Sequence, residues 1–150
     1  MRGNLLIGLY KLRNYVFGIS ASTKRKIIPS RYAKNMEALS EILLLAKRNN
    51  LDTLVYIPPL RDDYERPYDQ SDYELFKTEV EMITKLNNVR FSDIEGLVPN
   101  ELWGTKNSTT INASNDGELD FMHFQWGGHE LLANKIYSLV YDRENAGNTL

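Results

Sequence analysis

Four consecutive apolar residues, Leu54-Val55-Tyr56-Ile57, stand between a helical pattern and the pair Pro58-Pro59. A continuous apolar run of this length fits a strand buried on both faces, the kind found in parallel sheets. Proline has no amide hydrogen to give to a ladder, so the strand has to end before residue 58 and open into a loop. Ahead of it, Tyr32, Met36, Leu39, Ile42, Leu43 and Ala46 recur at helical spacing, with Ser30 placed to cap the helix and Asn49-Asn50 to stop it. Beyond it, Tyr73, Phe76, Val80 and Ile83 mark one face of a second helix that starts at Ser71 or Asp72 and stops at Asn87-Asn88. Glu74 and Glu81, each three or four residues before a lysine, suit its solvated face. Val89-Arg90-Phe91-Ser92-Asp93-Ile94 then alternates as a second strand does. Strands alternating with helices predict an α/β fold built from βαβ units around a parallel sheet.

With 150 residues, the chain is expected to be a single domain or a portion of one. Its net charge of −2 gives no electrostatic footprint for nucleic acid. It has no cysteine, which excludes disulfides, a thiol nucleophile and Cys-ligated zinc. Residues 1–30 divide into a helix and a loop. Leu5, Leu6, Leu9, Leu12, Val16 and Ile19 form an apolar stripe over 4–19, read as a core-packing helix, with a membrane-surface helix as the alternative. Lys24, Arg25 and Lys26 fall in a loop, either a solvated turn or an anion-binding one. The loop over 58–69 carries Arg61, Tyr64, Arg66 and Tyr68 among three prolines and four acids. Open α/β sheets bind ligands at the carboxyl ends of their strands, so this loop is either a substrate wall or a rigid solvated connection. Residues 95–117 read as a long surface loop tacked down by Leu97, Val98, Leu102 and Trp103, with glycosylation acceptor patterns at Asn107 and Asn112. A last helix is expected from about Gly128 to Val140, followed by a frayed tail.

Both histidines lie in the stretch from Glu118 to Ala133. Asp120 precedes His123 by three residues, and on a loop a tight turn can bring the two side chains together. The carboxylate would then accept from one ring nitrogen and leave the other free to take a proton from a nucleophile. Gly127-Gly128 is expected to let the chain turn sharply into the last helix, with His129 bonded locally at its start. A metal site from Asp120, His123 and His129 is the weaker alternative, since the spacing matches no standard zinc pattern.

Asp120-Phe121-Met122-His123, followed by Gly128-His129 and Leu132-Ala133, resembles the last sequence block of the SGNH (GDSL-type) hydrolase superfamily. The helix, the strand ending in proline, the long loop and the next helix and strand resemble the same superfamily over roughly residues 32–140. The resemblance implies a flavodoxin-like three-layer α/β/α sandwich, incomplete here on its N-terminal side. It implies a serine esterase or acyltransferase with His123 as general base and Asp120 as its orienter, and no cofactor. Trp126-Gly127 also resembles superfamily members that acylate or deacylate cell-envelope polymers. That likeness implies an ester or acylated glycan as substrate and an extracytoplasmic or envelope location. Arg61, Tyr64 and Trp126 are the candidate substrate-binding residues. The chain has no Gly-Asp-Ser block and no Gly-x-Asn-Asp segment; Ser20, in Gly18-Ile19-Ser20, is the nearest candidate nucleophile. The expectation is therefore a His–Asp half-site with little activity alone, completed by a missing N-terminal segment or a partner chain. The alternative is a non-catalytic α/β module that binds a partner or glycan through the loop over 58–69 and an open sheet edge.

Overall fold

The computed structural model describes residues 2–19, 23–106 and 118–146. In order they form α1 (Arg2–Val16), α2 (Pro29–Arg48), β1 (Leu54–Ile57), α3 (Gln70–Leu86) and β2 (Arg90–Asp93). A short 3-10 turn (Asn100–Leu102), β3 (Trp103–Lys106), β4 (Glu118–Phe124) and α4 (Trp126–Ala146) complete the series. The fold is mixed α/β. β1 and β2 pair in parallel, with Leu54 opposite Arg90 and Ile57 opposite Asp93. β3 and β4 form a separate antiparallel ribbon. Where the sequence led to one parallel sheet, the described residues hold one parallel pair and a separate antiparallel ribbon.

α2 packs on α3, α3 on β2, and α4 on β4 and the 3-10 turn. Leu43 and Ala46 of α2, Ile57 of β1 and Val80 and Thr84 of α3 are buried together with Ile94, Val98 and Trp103. The tacking role expected of Val98 and Trp103 holds: Trp103 Nε1 donates to the Val98 carbonyl at 3.1 Å. Arg90 fastens α4 to the parallel pair, donating to the Leu139 carbonyl and to Asp52, each at 2.6 Å.

Helix ends follow local chemistry. α2 starts on Pro29, whose missing amide hydrogen costs nothing in a first turn, and Ser30 is not its cap. α3 is capped one step earlier than expected, by Asp69, which accepts from the Ser71 and Asp72 amides at 3.1 and 3.2 Å. α1, α2 and α3 all stop in the same way. In each, an amide donates back to the carbonyl five residues earlier: Ile19 to Asn14, Leu51 to Ala46 and Val89 to Thr84. The residue just before that donor is left-handed, Gly18 at φ 60°, Asn50 at 53° and Asn88 at 58°. Asparagine tolerates that backbone and a β-branched residue does not. Asn88→Val is therefore expected to destabilise the protein by about 1–2 kcal/mol, read as a lower urea midpoint, while Asn88→Gly leaves it unchanged or higher.

Tyr32 on α2 donates to Glu79 on α3 at 2.5 Å. Burial, then the Glu79 hydrogen bond and charge, push its hydroxyl up from 10.0 to about 12. The folded value is the higher one, so this contribution is complete below pH 10 and is lost as pH rises from 10 towards 12. Melting temperature should fall across that window by more in the wild type than in Tyr32→Phe.

α1 departs from expectation. Leu5, Leu6, Leu9, Leu12 and Val16 are all exposed, and none of the principal packing contacts among the described residues involves this helix. No described helix is long and apolar enough to cross a membrane.

Candidate active site

Asp120 and His123 lie in a strand, not on a loop. Residues three apart in a regular strand project from opposite faces and cannot meet. β4 resolves this by leaving its ladder. Between the pairs Trp103–Phe124 and Thr105–Leu119, β3 advances two residues while β4 advances five, so three residues of β4 are surplus. The surplus forms an excursion over 120–123, an unusually wide bulge. It does what the expected tight turn would have done.

Within the excursion, Asp120 Oδ1 accepts the His123 backbone amide at 3.0 Å. His123 Nδ1 lies 2.9 Å from Oδ2 and 3.1 Å from Oδ1. An ionised carboxylate only accepts, so in the neutral ring Nδ1 carries the hydrogen and Nε2 keeps its lone pair. The acid is buried, with its side chain 8% exposed, whereas the imidazole side chain is 81% exposed. The carboxylate thus has a fixed place and the free ring nitrogen is open to an incoming group. Among the described residues, no serine or threonine hydroxyl is hydrogen-bonded to His123. Ser20 lies outside the described residues, as do Asn107 and Asn112.

The excursion is seated on α4. Phe124 packs edge-on against Trp103, with ring centroids 5.3 Å apart, and against His129 at 4.6 Å. Gly127 and Gly128 are helical, not a sharp turn, and their value is close approach. A Cβ on Gly128 would stand 2.8 Å from the Phe124 ring, and one on Gly127 3.1 Å from Leu102. His129, in the first helical turn, is exposed and rests its ring against Phe124. Among the described residues, no group of His, Cys, Asp or Glu is placed to hold a metal ion.

The three candidate substrate residues separate. Trp126, at the start of α4, is 83% exposed, and Tyr64 is exposed too. Arg61 is only 8% exposed. Its Nε and Nη2 donate to the Asp63 carboxylate at 2.6 and 2.9 Å, and its Nη1 donates to the Gly104 carbonyl at 3.0 Å. The Tyr64 ring lies 5.2 Å away beneath the guanidinium. Arg61 is thus occupied within the protein, and the substrate wall expected of it is a tie between the loop over 58–69 and the ribbon.

A second cluster clamps the same loop at the carboxyl ends of β1 and β2. Glu95 is buried, bridges Arg66 and accepts from Lys77 at 3.0 Å, and its carbonyl accepts the Leu60 amide. Burial pushes the Lys77 ammonium down, but hydrogen bonds to Glu95 and Glu74 and the charges of Glu95 and Asp93 outweigh it and hold the group above its ordinary range. Arg66 and Lys77 both lie over the Tyr73 ring, which stacks on Tyr68. Only Glu74–Lys77 was legible beforehand, as a helical pair; Glu95 carried no signal in its own neighbourhood of the chain. The basic loop at 24–26 is neither free nor anion-binding at Lys24, which pairs with Glu65 at 2.6 Å. The chain matches no family model, no curated protein and no solved structure.

Proposed function

We propose that this chain supplies the His–Asp half of a serine acyl-transfer site of the SGNH type, acting on an ester, with an acylated glycan or envelope polymer as the substrate class. The observation that carries the reading is the buried Asp120 carboxylate holding Nδ1 of an imidazole whose Nε2 is open. In this mechanism Nε2 takes the proton of a serine hydroxyl as its oxygen attacks the ester carbonyl, and returns it to the leaving alcohol. Asp120 stays ionised and stabilises the imidazolium formed between those steps. In this reading β1–α3–β2 is one part of a flavodoxin-like sandwich. The serine comes from Ser20, from a preceding segment or from a partner chain. An imidazole this exposed has no dry pocket around it, and charge stabilisation is weak in water, so activity of the chain alone is expected to be slight.

Fluorophosphonate labelling tests the proposal, on the chain alone and on the chain purified with the polypeptides bound to it. A serine labelled in the wild type and not in His123→Gln supports acyl transfer. Labelling that is equal in the two overturns it. The competing binding module draws on the outer edges of β1 and β2, which carry no strand among the described residues. That module requires no labelled serine in any assembly.

A further inference from the structure

We propose that Arg61 is the positioning residue of the Asp120–His123 pair: its guanidinium holds the carbonyl of Gly104, the β3 residue opposite the excursion, and sets its charge beside the orienting carboxylate. The functional consequence rests on the acyl-transfer reading; the structural claim does not. Trp103, Thr105 and Lys106 each have a register partner on β4, and Gly104 faces the excursion instead. A carbonyl oxygen has two lone pairs, so it can take a side-chain donor beside any ladder bond. Gly104 receives one from Arg61 Nη1 at 3.0 Å, across 43 residues of sequence. The donor is held in place by the two bonds from Nε and Nη2 to Asp63 and by Tyr64 beneath it. The planar fork reaches a carboxylate on one side and a carbonyl on the other, and an ammonium keeps the charge at that place with fewer bonds.

The same cation serves the carboxylate. Asp120 opens the excursion that faces Gly104, and it is buried, where an anion without a cation nearby is costly. The hydrogen bonds to Asp63, then in falling order the charges of Asp63, Tyr64 and Asp120, hold Arg61 above its ordinary range against its burial. Asp120 is thus within the field of Arg61. The cation favours an ionised Asp120, and an ionised Asp120 selects the Nδ1–H form of His123. Two separate parts of the chain, the loop after β1 and the ribbon, are in this way needed to aim one imidazole.

The test is nitrogen-15 spectroscopy of the imidazoles in the full chain, with the His123 signals assigned through His123→Gln. The wild type is expected to show the Nδ1–H form at His123. Arg61→Met is expected to lose it as the dominant form, and Arg61→Lys, which keeps the charge, to restore most of it. An unchanged His123 in Arg61→Met overturns the proposal. So does a loss that Arg61→Lys fails to repair, since that marks a brace with no electrostatic part. Asp63→Asn keeps the guanidinium but takes away the carboxylate that holds it, so it covers the case in which Arg61→Met does not fold. There the Nδ1–H form must weaken, and its full persistence overturns the proposal. Failure of the acyl-transfer reading would show in serine labelling and leave these spectra as they are.

Discussion

Asp120→Asn is expected to slow acylation of the serine by roughly 10⁴-fold, the loss that follows when the carboxylate of a Ser-His-Asp triad becomes an amide. The amide is nearly the same shape as the acid, so the excursion and the fold should survive. The imidazole is what changes. An amide that presents its NH₂ to Nδ1 forces the hydrogen onto Nε2, the atom that has to receive the serine proton. It also removes the negative charge that would stabilise the imidazolium. Both effects act on the chemical step, so the loss should fall on kcat with KM little altered. The measurement is the rate of fluorophosphonate labelling or of p-nitrophenyl acetate turnover in the assembly that carries the serine. A rate within a factor of a few of wild type would remove Asp120 from the mechanism.

Glu95→Ala is expected to destabilise the protein by about 3–5 kcal/mol, the cost of removing one partner from a buried ion pair. Two cations lose their anion at once. Arg66 and Lys77 both reach Glu95, their side chains 23% and 18% exposed against 10% for its own. Asp93, at 3.5 Å from Lys77, and Glu74, at 3.2 Å, are more exposed and replace it only in part. The damage should not stop at stability. Arg66 ties the loop over 58–69 to the Glu95 carboxylate, while the Leu60 amide donates to the Glu95 main-chain carbonyl, which alanine keeps, and Arg61 sits between the two. Thermal melts should show the loss directly. The Nδ1–H signal of His123 should weaken as well, because its brace is loosened at the root. A melting temperature unchanged in Glu95→Ala would show the cluster to be an incidental surface network.

The parallel pair was legible because its signals are local. Leu54–Ile57 is apolar throughout and ends at two prolines, and the Asn-Asn stops announce their own backbone conformation. The Asp120–His123 contact was legible as residue types three apart, although its strand was not. β3 is four residues long with a glycine second, and β4 abandons its alternation within the excursion, so neither shows a clean period of two. The misplacement of α1 has a different origin. A stripe such as Leu5, Leu9, Leu12 and Val16 states that one side of a helix is apolar and does not state what meets it. The internal ties of Arg61 were hidden for a third reason. Its neighbours in sequence are charged and aromatic, as a ligand-binding loop should be, while the partner that fixes its role is a backbone carbonyl 43 residues away. A main-chain oxygen has no residue type and leaves no trace in a sequence.

The misfit between β3 and β4 has a consequence for how this protein responds to selection. Deleting three residues of the excursion would let the two strands zip together without interruption and press a β4 residue against Gly104, where Arg61 now reaches its carbonyl. The shortened hairpin should outlast the native one on heating. A library screened only for heat resistance would thus drift towards the regular ribbon and discard the histidine's aim on the way, so robustness and chemistry pull on the same few residues in opposite directions.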